Sequence, residues 1–313
     1  MKNRVSFIGA GHMAEEHIKA FSDIPGVELS GIYSRTFERA QQLASKYDFP
    51  NRCYESIEEL YEKSQSTLVI IAVPELSAME VCLESFKYPW TCLVEKPIGY
   101  NYDQAILINQ EAKKRNRQVY AALNRRSYSS TRAVLEELIS SSQPRLIHVF
   151  DQENPIEALS SGQPKLVVEN WMYANSIHMI DYFSFLGRGE IISVEPIIKW
   201  DAENPKFVST KITYNSGDIG IYEAVWDAPG PWAVTVTTQE KRWELRPLEQ
   251  ATVQLYKSRK LKNIEIDDFD KQFKPGLRFQ AEEAIKGAMG LKSELVTISE
   301  GLKTMKLINQ IYK

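Results

Sequence analysis

The fold is decided near the start of the chain by Val5–Ala14, which reads VSFIGAGHMA. The apolar run Val5–Gly9 predicts a buried strand, and a helix-like pattern follows from about His12. Between them, Gly9–Ala14 has the spacing G-x-G-x-x-A. Such glycines permit a tight turn and a close approach of the backbone to a pyrophosphate, which the free N–H groups of the helix N-terminus would bind. This strand–turn–helix context favours a dinucleotide site over a glycine turn without a ligand. The expected contacts within the turn are Gly9, Gly11, His12 and Met13.

The first 123 residues continue this alternation of strands and helices. The predicted strands are Val5–Gly9, Val27–Tyr33, Thr67–Val73, Thr91–Val94 and Gln118–Leu123. The predicted helical segments are His12–Ser22, Phe37–Tyr47, Ile57–Tyr61, Ser77–Phe86 and Tyr102–Asn116. Continuous apolar strands joined by amphipathic helices indicate a parallel sheet buried on both faces. We therefore predict an α/β fold with a doubly wound Rossmann domain over residues 1–123.

Residues 124–313 have a different pattern. Helices are predicted at Thr131–Ser140, Leu277–Lys286 and Ser293–Tyr312. The predicted strands are Arg145–Gln152, Ile191–Trp200, Phe207–Tyr214, Ile219–Trp226, Trp232–Thr238, Arg242–Arg246 and Thr252–Tyr256. Consecutive strands without intervening helices favour an antiparallel sheet. Glu153–Lys165, with two prolines and a Ser-Ser-Gly, is the expected mobile loop.

The choice of nucleotide depends on the residues that follow the second strand. An NAD site usually has Asp or Glu there, about 20 residues beyond the glycine turn, to bind the ribose hydroxyls. This chain has Ser34 and Arg35 instead. A hydroxyl followed by a guanidinium suits a 2′-phosphate, and Arg39 lies one helical turn further on. We therefore expect NADP(H) to be favoured over NAD(H). The alternative is that Ser34 and Thr36 only cap the next helix.

Composition and charge exclude several classes of function. Lys and Arg number 38 against 41 Asp and Glu, and this net charge of −3 gives no broad basic surface for nucleic acid or anionic membranes. The sequence contains no run of about 18 consecutive apolar residues, the length that would predict a membrane span. The three cysteines lack metal or disulfide spacing, and the four histidines lack nearby ligands. These features favour a reducing, cytoplasmic setting and no metal site.

A charged pair follows the strand Thr91–Val94, where the chain reads Glu95-Lys96-Pro97. The carboxyl ends of parallel strands form the crevice in which ligands bind. A lysine before proline is held extended, and a cis peptide bond is open to it. A solvated strand end is the plainer interpretation of the charged pair. The further expected contacts of the cofactor are Ala72, Pro74, Glu95 and Lys96.

Four motifs occur in order along the chain: Gly9–Ala14, Glu95-Lys96-Pro97, Asn124-Arg125-Arg126 and His178-Met179-Ile180-Asp181. With them, essentially the whole chain resembles the Gfo/Idh/MocA oxidoreductase family, which includes glucose–fructose oxidoreductase and inositol dehydrogenase. The resemblance implies a Rossmann domain followed, over residues 124–313, by an α/β domain with an open, mostly antiparallel sheet for substrate binding and oligomerisation. It also implies a nicotinamide cofactor, a sugar, cyclitol or sugar-derivative substrate, and homodimers or homotetramers.

The same resemblance places Lys96 near the reacting carbon and makes His178 the acid/base. The chemistry of the side chains agrees, because a histidine can take a hydroxyl proton near neutral pH and a lysine ammonium can stabilise the developing alkoxide. A buried core histidine is the plainer interpretation of His178 alone. One departure concerns Ala174, since many active relatives have Asp at this position, four residues before the histidine.

The expected substrate contacts are Arg125, Tyr173, Asn175 and Asp181. A guanidinium suits an anionic substrate group, and it equally suits an ion pair with an acidic residue. Tyr173 either stacks on a sugar face or belongs to the core, and Asn175 or Tyr173 would supply the polar contact missing at position 174. Asp181, three residues after the histidine, would orient the imidazole or bind a substrate hydroxyl.

Two other functions use the same residues. A redox-recycling glycosidase-type enzyme would oxidise and re-reduce one substrate with a retained nucleotide. A non-catalytic nucleotide-sensing regulatory protein would only bind the nucleotide, since one fold hosts many functions. Ala174 favours the regulatory protein, while Lys96 and His178 argue against it.

The predicted antiparallel sheet also bears on oligomerisation. Apolar residues alternate along two of its strands, at Val234, Val236, Trp243 and Leu245. If they form an open apolar face, that face would favour dimerisation of sheet against sheet.

Overall fold

The computed structural model describes residues 3–313, so residues 1 and 2 of the predicted first domain lie outside the described residues. The chain forms two compact units. The first extends to Asn124 and includes Phe269–Leu302, and the second consists of Arg125–Asp268 and Lys303–Lys313. The first unit therefore takes one segment from the carboxyl-terminal part of the chain. The assignment of residues 1–123 to cofactor and 124–313 to substrate stays a prediction.

The elements within residues 3–313 follow most of the predicted segments. The strands are β1 Asn3–Ile8, β2 Val27–Tyr33, β3 Cys53–Tyr54, β4 Leu68–Ile71, β5 Thr91–Glu95, β6 Val119–Ala122, β7 Leu146–Glu153, β8 Ile191–Ile198, β9 Phe207–Tyr214, β10 Ile219–Trp226, β11 Ala233–Thr237, β12 Lys241–Leu245, β13 Thr252–Leu255 and β14 Leu261–Asn263. The α-helices are α1 His12–Ser22, α2 Phe37–Lys46, α3 Ile57–Ser64, α4 Ala78–Ser85, α5 Tyr102–Lys114, α6 Ser129–Ile139, α7 Pro155–Ser160, α8 Lys165–Val168, α9 Ile177–Leu186, α10 Phe269–Gln272, α11 Leu277–Ala288 and α12 Ile298–Ile311. A π-helical turn, Met172–Ser176, directly precedes α9.

The first unit contains a six-stranded parallel sheet in the order β3-β2-β1-β4-β5-β6. Its central strands are buried because they are continuous apolar runs flanked by helices. The register sets Ile8 opposite both Tyr33 and Ile71, and Ile71 opposite Val94. The residues that follow these positions therefore lie along one edge of the sheet: Gly9, Ser34, Ala72 and Glu95. The predicted doubly wound Rossmann domain is confirmed.

Helix α11 covers α1 within the first unit. Leu277, Ala281 and Ala284 join Ile18 and Phe21 in one buried apolar cluster. The spacing of the α11 residues, i, i+4 and i+7, is that of one helix face. The packing of the first unit is thus completed by a helix that lies far away in sequence.

The second unit contains an eight-stranded sheet in the order β14-β13-β12-β11-β7-β10-β9-β8. The pair β7–β10 is parallel, and the other neighbouring strands are antiparallel. This mixed, mostly antiparallel sheet confirms the predicted fold class. Along β7, burial alternates residue by residue, so that Ile147, Val149, Asp151 and Glu153 share the face on which α9 packs.

Two expectations from the sequence were wrong. Glu153–Lys165, predicted as a mobile loop, contains the end of β7 and helix α7, because Pro155 occupies the first helical position, where a missing N–H costs nothing. The expected apolar outer face does not form from the four alternating residues. Val234, Val236, Trp243 and Leu245 are buried within the chain, on the sheet face that α6 and α9 cover.

Among residues 3–313, none of the helices combines the length and the apolar character that a membrane crossing requires.

Candidate functional site

The glycine turn after β1 is shaped by a close backbone approach at Gly9. Its φ is +111°, and a Cβ atom at this position would lie 2.0 Å from the carbonyl oxygen of Ala72. The Gly9 N–H donates to the carbonyl of Tyr33 at 2.8 Å. Because L side chains rarely adopt this φ and the space is filled by backbone, only glycine fits here. The turn is therefore held against the ends of both strands that flank β1.

The N-terminus of α1 opens at the next glycine. Gly11 is the N-cap residue, with an extended backbone (φ −92°, ψ −177°), and no side chain caps the helix. Nothing lies within 4 Å of the point where a Cβ of Gly11 would stand. His12 is exposed and Met13 is half-buried. The first N–H groups of a helix have no intrahelical partner, so this uncapped end with open space before it fits a phosphate group. A dinucleotide cofactor therefore fits the turn.

The residues expected to determine the preference for NADP(H) over NAD(H) lie at the end of β2. Ser34 Oγ accepts a hydrogen bond at 3.3 Å from the N–H of Thr36, the N-cap residue of α2, but neither Ser34 nor Thr36 caps this helix with its side chain. Arg35 and Arg39 are exposed, and neither forms an ion pair with any residue between 3 and 313. Two available guanidinium groups at this edge of the sheet are compatible with an anionic group of the nucleotide.

Ala72 and Pro74 follow β4 at the same edge of the sheet. Ala72 is buried and its N–H donates to the carbonyl of Ile8 at 2.8 Å. Pro74 is exposed and precedes the 3₁₀ turn Glu75–Ser77. Of the two, Pro74 therefore presents its side chain to solvent, while Ala72 contributes the backbone that confines Gly9.

Glu95 is tied to α1 by a buried hydrogen bond. Its Oε1 lies 2.7 Å from His17 Nε2, and its Oε2 accepts from the backbone N–H of Lys96 at 3.1 Å. His17 is fully buried and Glu95 nearly so. The Lys96–Pro97 peptide bond is cis. Both carboxylate oxygens are thus engaged by the chain itself, which gives Glu95 a positioning role beside Lys96 in addition to the predicted contact with cofactor.

In the second unit, His178 lies in the first turn of α9, two residues after the π-helical turn, and is 5% exposed. Asp181 is one turn further along. Arg126 donates to both oxygens of Asp181, at 2.6 and 2.7 Å, and Thr304 donates to Oδ1 at 2.7 Å. The structure therefore gives Asp181 a fixed ion pair, which was one of the two alternatives for the arginine pair.

The other arginine of this pair has different surroundings. The Arg125 guanidinium stacks over the ring of Trp232 at 4.6 Å, and its buried Nε has no hydrogen-bond partner among residues 3–313. Tyr173 donates its hydroxyl to Asn309 at 3.0 Å, and Asn175 donates to Glu153 at 2.8 Å. Of the four expected substrate contacts, Arg125 is thus the one whose charged group is left without an anionic partner in the described chain.

Two buried acids of β7 were missed by the sequence analysis. Glu153 accepts hydrogen bonds from Asn175 at 2.8 Å and from Ser176 at 3.0 Å, and Asp151 accepts from the Tyr222 hydroxyl at 2.8 Å. Both acids are fully buried. The available signal was the alternation along β7, which places positions 151 and 153 on the same inward face as Ile147 and Val149.

The pKa values of both acids are raised above those of ordinary Asp and Glu side chains. Burial raises the pKa of Asp151, and burial followed by the charge of Asp151 raises the pKa of Glu153 well above its ordinary range. Burial also raises the pKa values of Tyr222 and Tyr312, whose hydroxyls lie 2.8 Å apart beside Asp151. A strongly perturbed, buried carboxyl next to a candidate catalytic segment is a feature of functional sites.

The two candidate catalytic residues belong to different units, Lys96 to the first and His178 to the second. The predicted cofactor contacts gather at one edge of the first sheet, and the predicted substrate contacts gather around α9 and the turn before it. Within the described range 3–313, no group of three or more His, Cys, Asp and Glu side chains is arranged to hold a metal ion.

Comparison with known proteins finds a family model that matches the amino-terminal part of the chain. Residues 3–123 match the Gfo/Idh/MocA model, described as an oxidoreductase family with an NAD-binding Rossmann fold. Two curated relatives are similar in sequence. Glucose-6-phosphate 3-dehydrogenase of Bacillus subtilis (strain 168) is 27% identical over 136 residues, which are 44% of this chain and 37% of the relative. A 4-carboxy-2-hydroxymuconate-6-semialdehyde dehydrogenase of Sphingobium sp. (strain NBRC 103272 / SYK-6) is 21% identical over 201 residues, 62% of each chain.

A solved structure is similar over nearly the whole chain. UDP-N-acetylglucosamine 3-dehydrogenase GnnA from Acidithiobacillus ferrooxidans superimposes with a TM-score of 0.80 at 16% identity, covering 99% of this chain and 97% of that one. At this identity the likeness concerns the fold. The match to the curated relatives spans less than two thirds of their lengths. The glycine turn and the parallel sheet order of residues 3–123 agree with the NAD-binding Rossmann fold of the Gfo/Idh/MocA oxidoreductase family, whose model these residues match.

Proposed function

We propose that this protein is a nicotinamide-dependent oxidoreductase that transfers a hydride between NADP(H) and a hydroxyl or carbonyl group of a sugar, cyclitol or sugar derivative. The first unit binds the dinucleotide and the second binds the substrate. The observation that carries the proposal is the glycine turn, in which Gly9 can only be glycine and Gly11 leaves the N-terminus of α1 uncapped and open. The family match over residues 3–123 supports it.

The proton chemistry belongs to the chain's own residues. Bound nicotinamide supplies the hydride acceptor or donor. In the oxidative direction His178 takes the hydroxyl proton while the hydride leaves the same carbon, and the Lys96 ammonium stabilises the oxygen as negative charge develops on it. In reduction the same two groups act in reverse, with His178 returning the proton. Burial of His178 keeps bulk water from competing for that proton.

The preference for NADP(H) rests on charge at the end of β2. Arg35 and Arg39 are exposed guanidinium groups without ion-pair partners in the range 3–313, and no acidic residue stands where ribose hydroxyls are usually bound. A guanidinium binds phosphate in a bidentate manner. The 2′-phosphate would therefore be recognised by Arg35, with Ser34 beside it.

The substrate class is proposed from two lines of support. Two of the similar proteins are named as dehydrogenases of a sugar phosphate and of a nucleotide sugar. In this chain, Arg125 is stacked on Trp232 and has no anionic partner among residues 3–313, which suits a phosphate or carboxylate on the substrate. Tyr173 and Asn175 lie in the turn before His178 and complete the proposed contacts.

The test is nucleotide binding followed by a substrate screen at the nicotinamide absorbance. We expect tighter binding of NADPH than of NADH and turnover of a sugar derivative, lost in Lys96→Ala and in His178→Ala. Lys114→Ala is the control, because this exposed lysine lies at the end of α5, on the opposite edge of the sheet from the strand carboxyl ends. The absence of nucleotide binding would refute the proposal at its base.

A second candidate is a nucleotide-binding regulatory protein without catalysis, which is favoured by Ala174. Binding of NADPH without turnover across sugar phosphates, nucleotide sugars and cyclitols would support it. A redox-recycling enzyme would differ from both, because nucleotide would stay bound through purification while added nucleotide shows no net turnover.

We also propose a homodimer or homotetramer. Because Val234, Val236, Trp243 and Leu245 are buried within one chain, the contact would use other surfaces than these residues. The mass in solution at micromolar concentration tests this, and a monomer would contradict it.

A further inference from the structure

Asp151 and Glu153 form a buried acid pair that has no part in the proposed reaction. They lie two residues apart on the covered face of β7, and both are fully buried. Tyr222 donates to Asp151 Oδ2 at 2.8 Å, whereas Asp151 Oδ1 meets no donor among residues 3–313. Two ionised carboxylates side by side in a medium of low dielectric constant repel each other strongly. One proton held between them removes the repulsion and provides Oδ1 with a donor.

The acid pair is connected to the turn that precedes His178. Asn175 and Ser176, the last residues of the π-helical turn, donate to the two oxygens of Glu153 at 2.8 and 3.0 Å. π-Helical turns are rare in proteins, and those that occur are often found at functional sites. Because both side chains donate to the same buried carboxyl group, these two hydrogen bonds fix the position of the turn. Because α9 continues directly from this turn, the position of His178 in its first turn depends on the same contacts.

The surroundings of the pair favour retention of a proton. The titratable groups that face it are Tyr222 of β10 and Tyr312 beyond α12, both buried. Between residues 3 and 313, no Lys, Arg or His is a hydrogen-bond or ion-pair partner of either acid. Burial raises the pKa of Glu153 well above its ordinary range, and the charge of Asp151 raises it further. Thus no positive group compensates a second negative charge.

We propose that Asp151 and Glu153 share one proton and together act as positioning residues for His178, by holding the π-helical turn through Asn175 and Ser176. This inference rests on the proposed acid/base role of His178. Loss of the shared proton would leave two negative charges in a dry site, and the turn would have to shift to relieve them. The Glu153 carboxyl group of β7 thereby holds in position the turn Met172–Ser176, which contains Ala174.

The shared proton is tested by Glu153→Gln. Glutamine is neutral like the protonated acid. Its carbonyl can accept from the Asn175 amide, and its NH2 group can donate to Asp151 and to the Ser176 hydroxyl, which is able to accept as well as donate. In the wild type, the folded state retains a proton that the unfolded state releases, so the unfolding equilibrium constant rises with pH by up to about tenfold per pH unit for one proton. This rise begins near pH 4.3, about the ordinary pKa of Glu, and ends at the raised pKa of the pair. We expect Glu153→Gln to lose this component of the slope.

Glu223→Gln is the matched control, because Glu223 is a half-exposed acid on the neighbouring strand β10 that pairs with His148. It should keep the wild-type slope. If Glu153→Gln fails to fold, Asp151→Asn removes the second acid of the same pair and is measured instead. Equal slopes in the wild type and the folded amide variant would overturn the shared proton.

The positioning of His178 is tested by NMR of the four histidines as a function of pH, with the His178 signal assigned by His178→Gln. We expect a second inflection at the pKa of the acid pair in the wild type, its loss in Glu153→Gln, and its retention in Glu223→Gln. An unchanged His178 curve in Glu153→Gln would overturn the positioning role. Neither readout needs a substrate, so a failure of the proposed oxidoreductase activity is distinguished from a failure of this inference.

Discussion

His17 Nε2 lies 2.7 Å from Glu95 Oε1, in a buried contact that joins α1 to the residue before Lys96. The helix that begins at the glycine turn is thereby fastened to the end of β5. The two parts of the first unit that are proposed to hold the dinucleotide and the reacting lysine thus share one hydrogen bond. His148 and Glu223 form a pair at the same distance of 2.7 Å, but both are half-exposed. The two pairs therefore differ mainly in burial.

This difference predicts unequal costs for removing the histidine. His17→Ala leaves Glu95 Oε1 buried without its donor, which we expect to lower the free energy of unfolding by about 1–3 kcal/mol. His148→Ala disturbs an exposed pair and should cost at most about 1 kcal/mol. Denaturant unfolding measures both. Equal losses in the two variants would contradict the structural importance of the buried contact.

Opposite outcomes are expected for alanine at the two glycines of the turn. Gly9→Ala forces a Cβ against the Ala72 carbonyl and should destabilise the fold by about 1–3 kcal/mol, the cost of local backbone strain, or more. Gly11→Ala has an extended backbone and open space, so its cost to stability should stay below about 1 kcal/mol.

Nucleotide binding separates the two glycine variants further. The new methyl group of Gly11→Ala would occupy the space through which a phosphate approaches. We therefore expect the Kd for NADPH to rise about tenfold, which corresponds to about 1.4 kcal/mol. Calorimetric titration of the folded variant measures this. Wild-type affinity in Gly11→Ala would mean that the nucleotide does not approach this helix end.

The proposed nucleotide preference predicts a selective effect of Arg35→Ala. Loss of a charge-assisted contact with the 2′-phosphate should weaken NADPH binding by about 1.5–3 kcal/mol. NADH lacks this phosphate, so its Kd should stay close to that of the wild type. Lys114→Ala removes an equal charge from the other edge of the sheet and should change neither Kd. A parallel loss of affinity for both nucleotides would argue against recognition of the 2′-phosphate.

The ion pair between Arg126 and Asp181 predicts a large effect on stability. Both side chains are mostly buried, so Asp181→Ala breaks a buried ion pair and should cost about 3–5 kcal/mol. The double variant Arg126→Met/Asp181→Leu should recover most of this loss, because apolar residues of similar size often replace a buried ion pair. Glu169→Ala breaks an exposed pair with Lys165 and serves as the control. A KM that rises in the double variant despite its restored stability would instead favour the predicted substrate contact at Asp181.

Much of the fold could be predicted because the local signals agreed with one another. The predicted bounds of His12–Ser22, Val27–Tyr33, Phe207–Tyr214 and Ile219–Trp226 coincide with the observed elements. Each is bounded by turn-forming residues, such as Gly26 before β2 and Asn215 after β9. Cys53–Tyr54 escaped prediction because a two-residue edge strand has no period. Pro155 lies in the segment predicted as a mobile loop, but it begins α7, because proline is also common at the first position of a helix.

The site was harder to predict than the fold, for two physical reasons. Alternation along β11 and β12 identifies residues that share a face, but it does not say which face is covered, so Val234 and Trp243 were placed on the wrong one. The acids of β7 were overlooked because a buried carboxyl depends on a partner elsewhere in the chain. Ser176 and Tyr222, which supply such partners, lie 23 and 71 residues away from the acids they contact.

The packing of α11 on α1 has a consequence for synthesis of the chain. A ribosome makes residues 3–124 long before Leu277, Ala281 and Ala284 exist, so the part of α1 that these residues cover is exposed while the second unit is being made. Newly made first units would depend on chaperones during this interval, since exposed apolar surface promotes aggregation. For the same reason, an expression vector ending at residue 124 would omit the helix that covers α1.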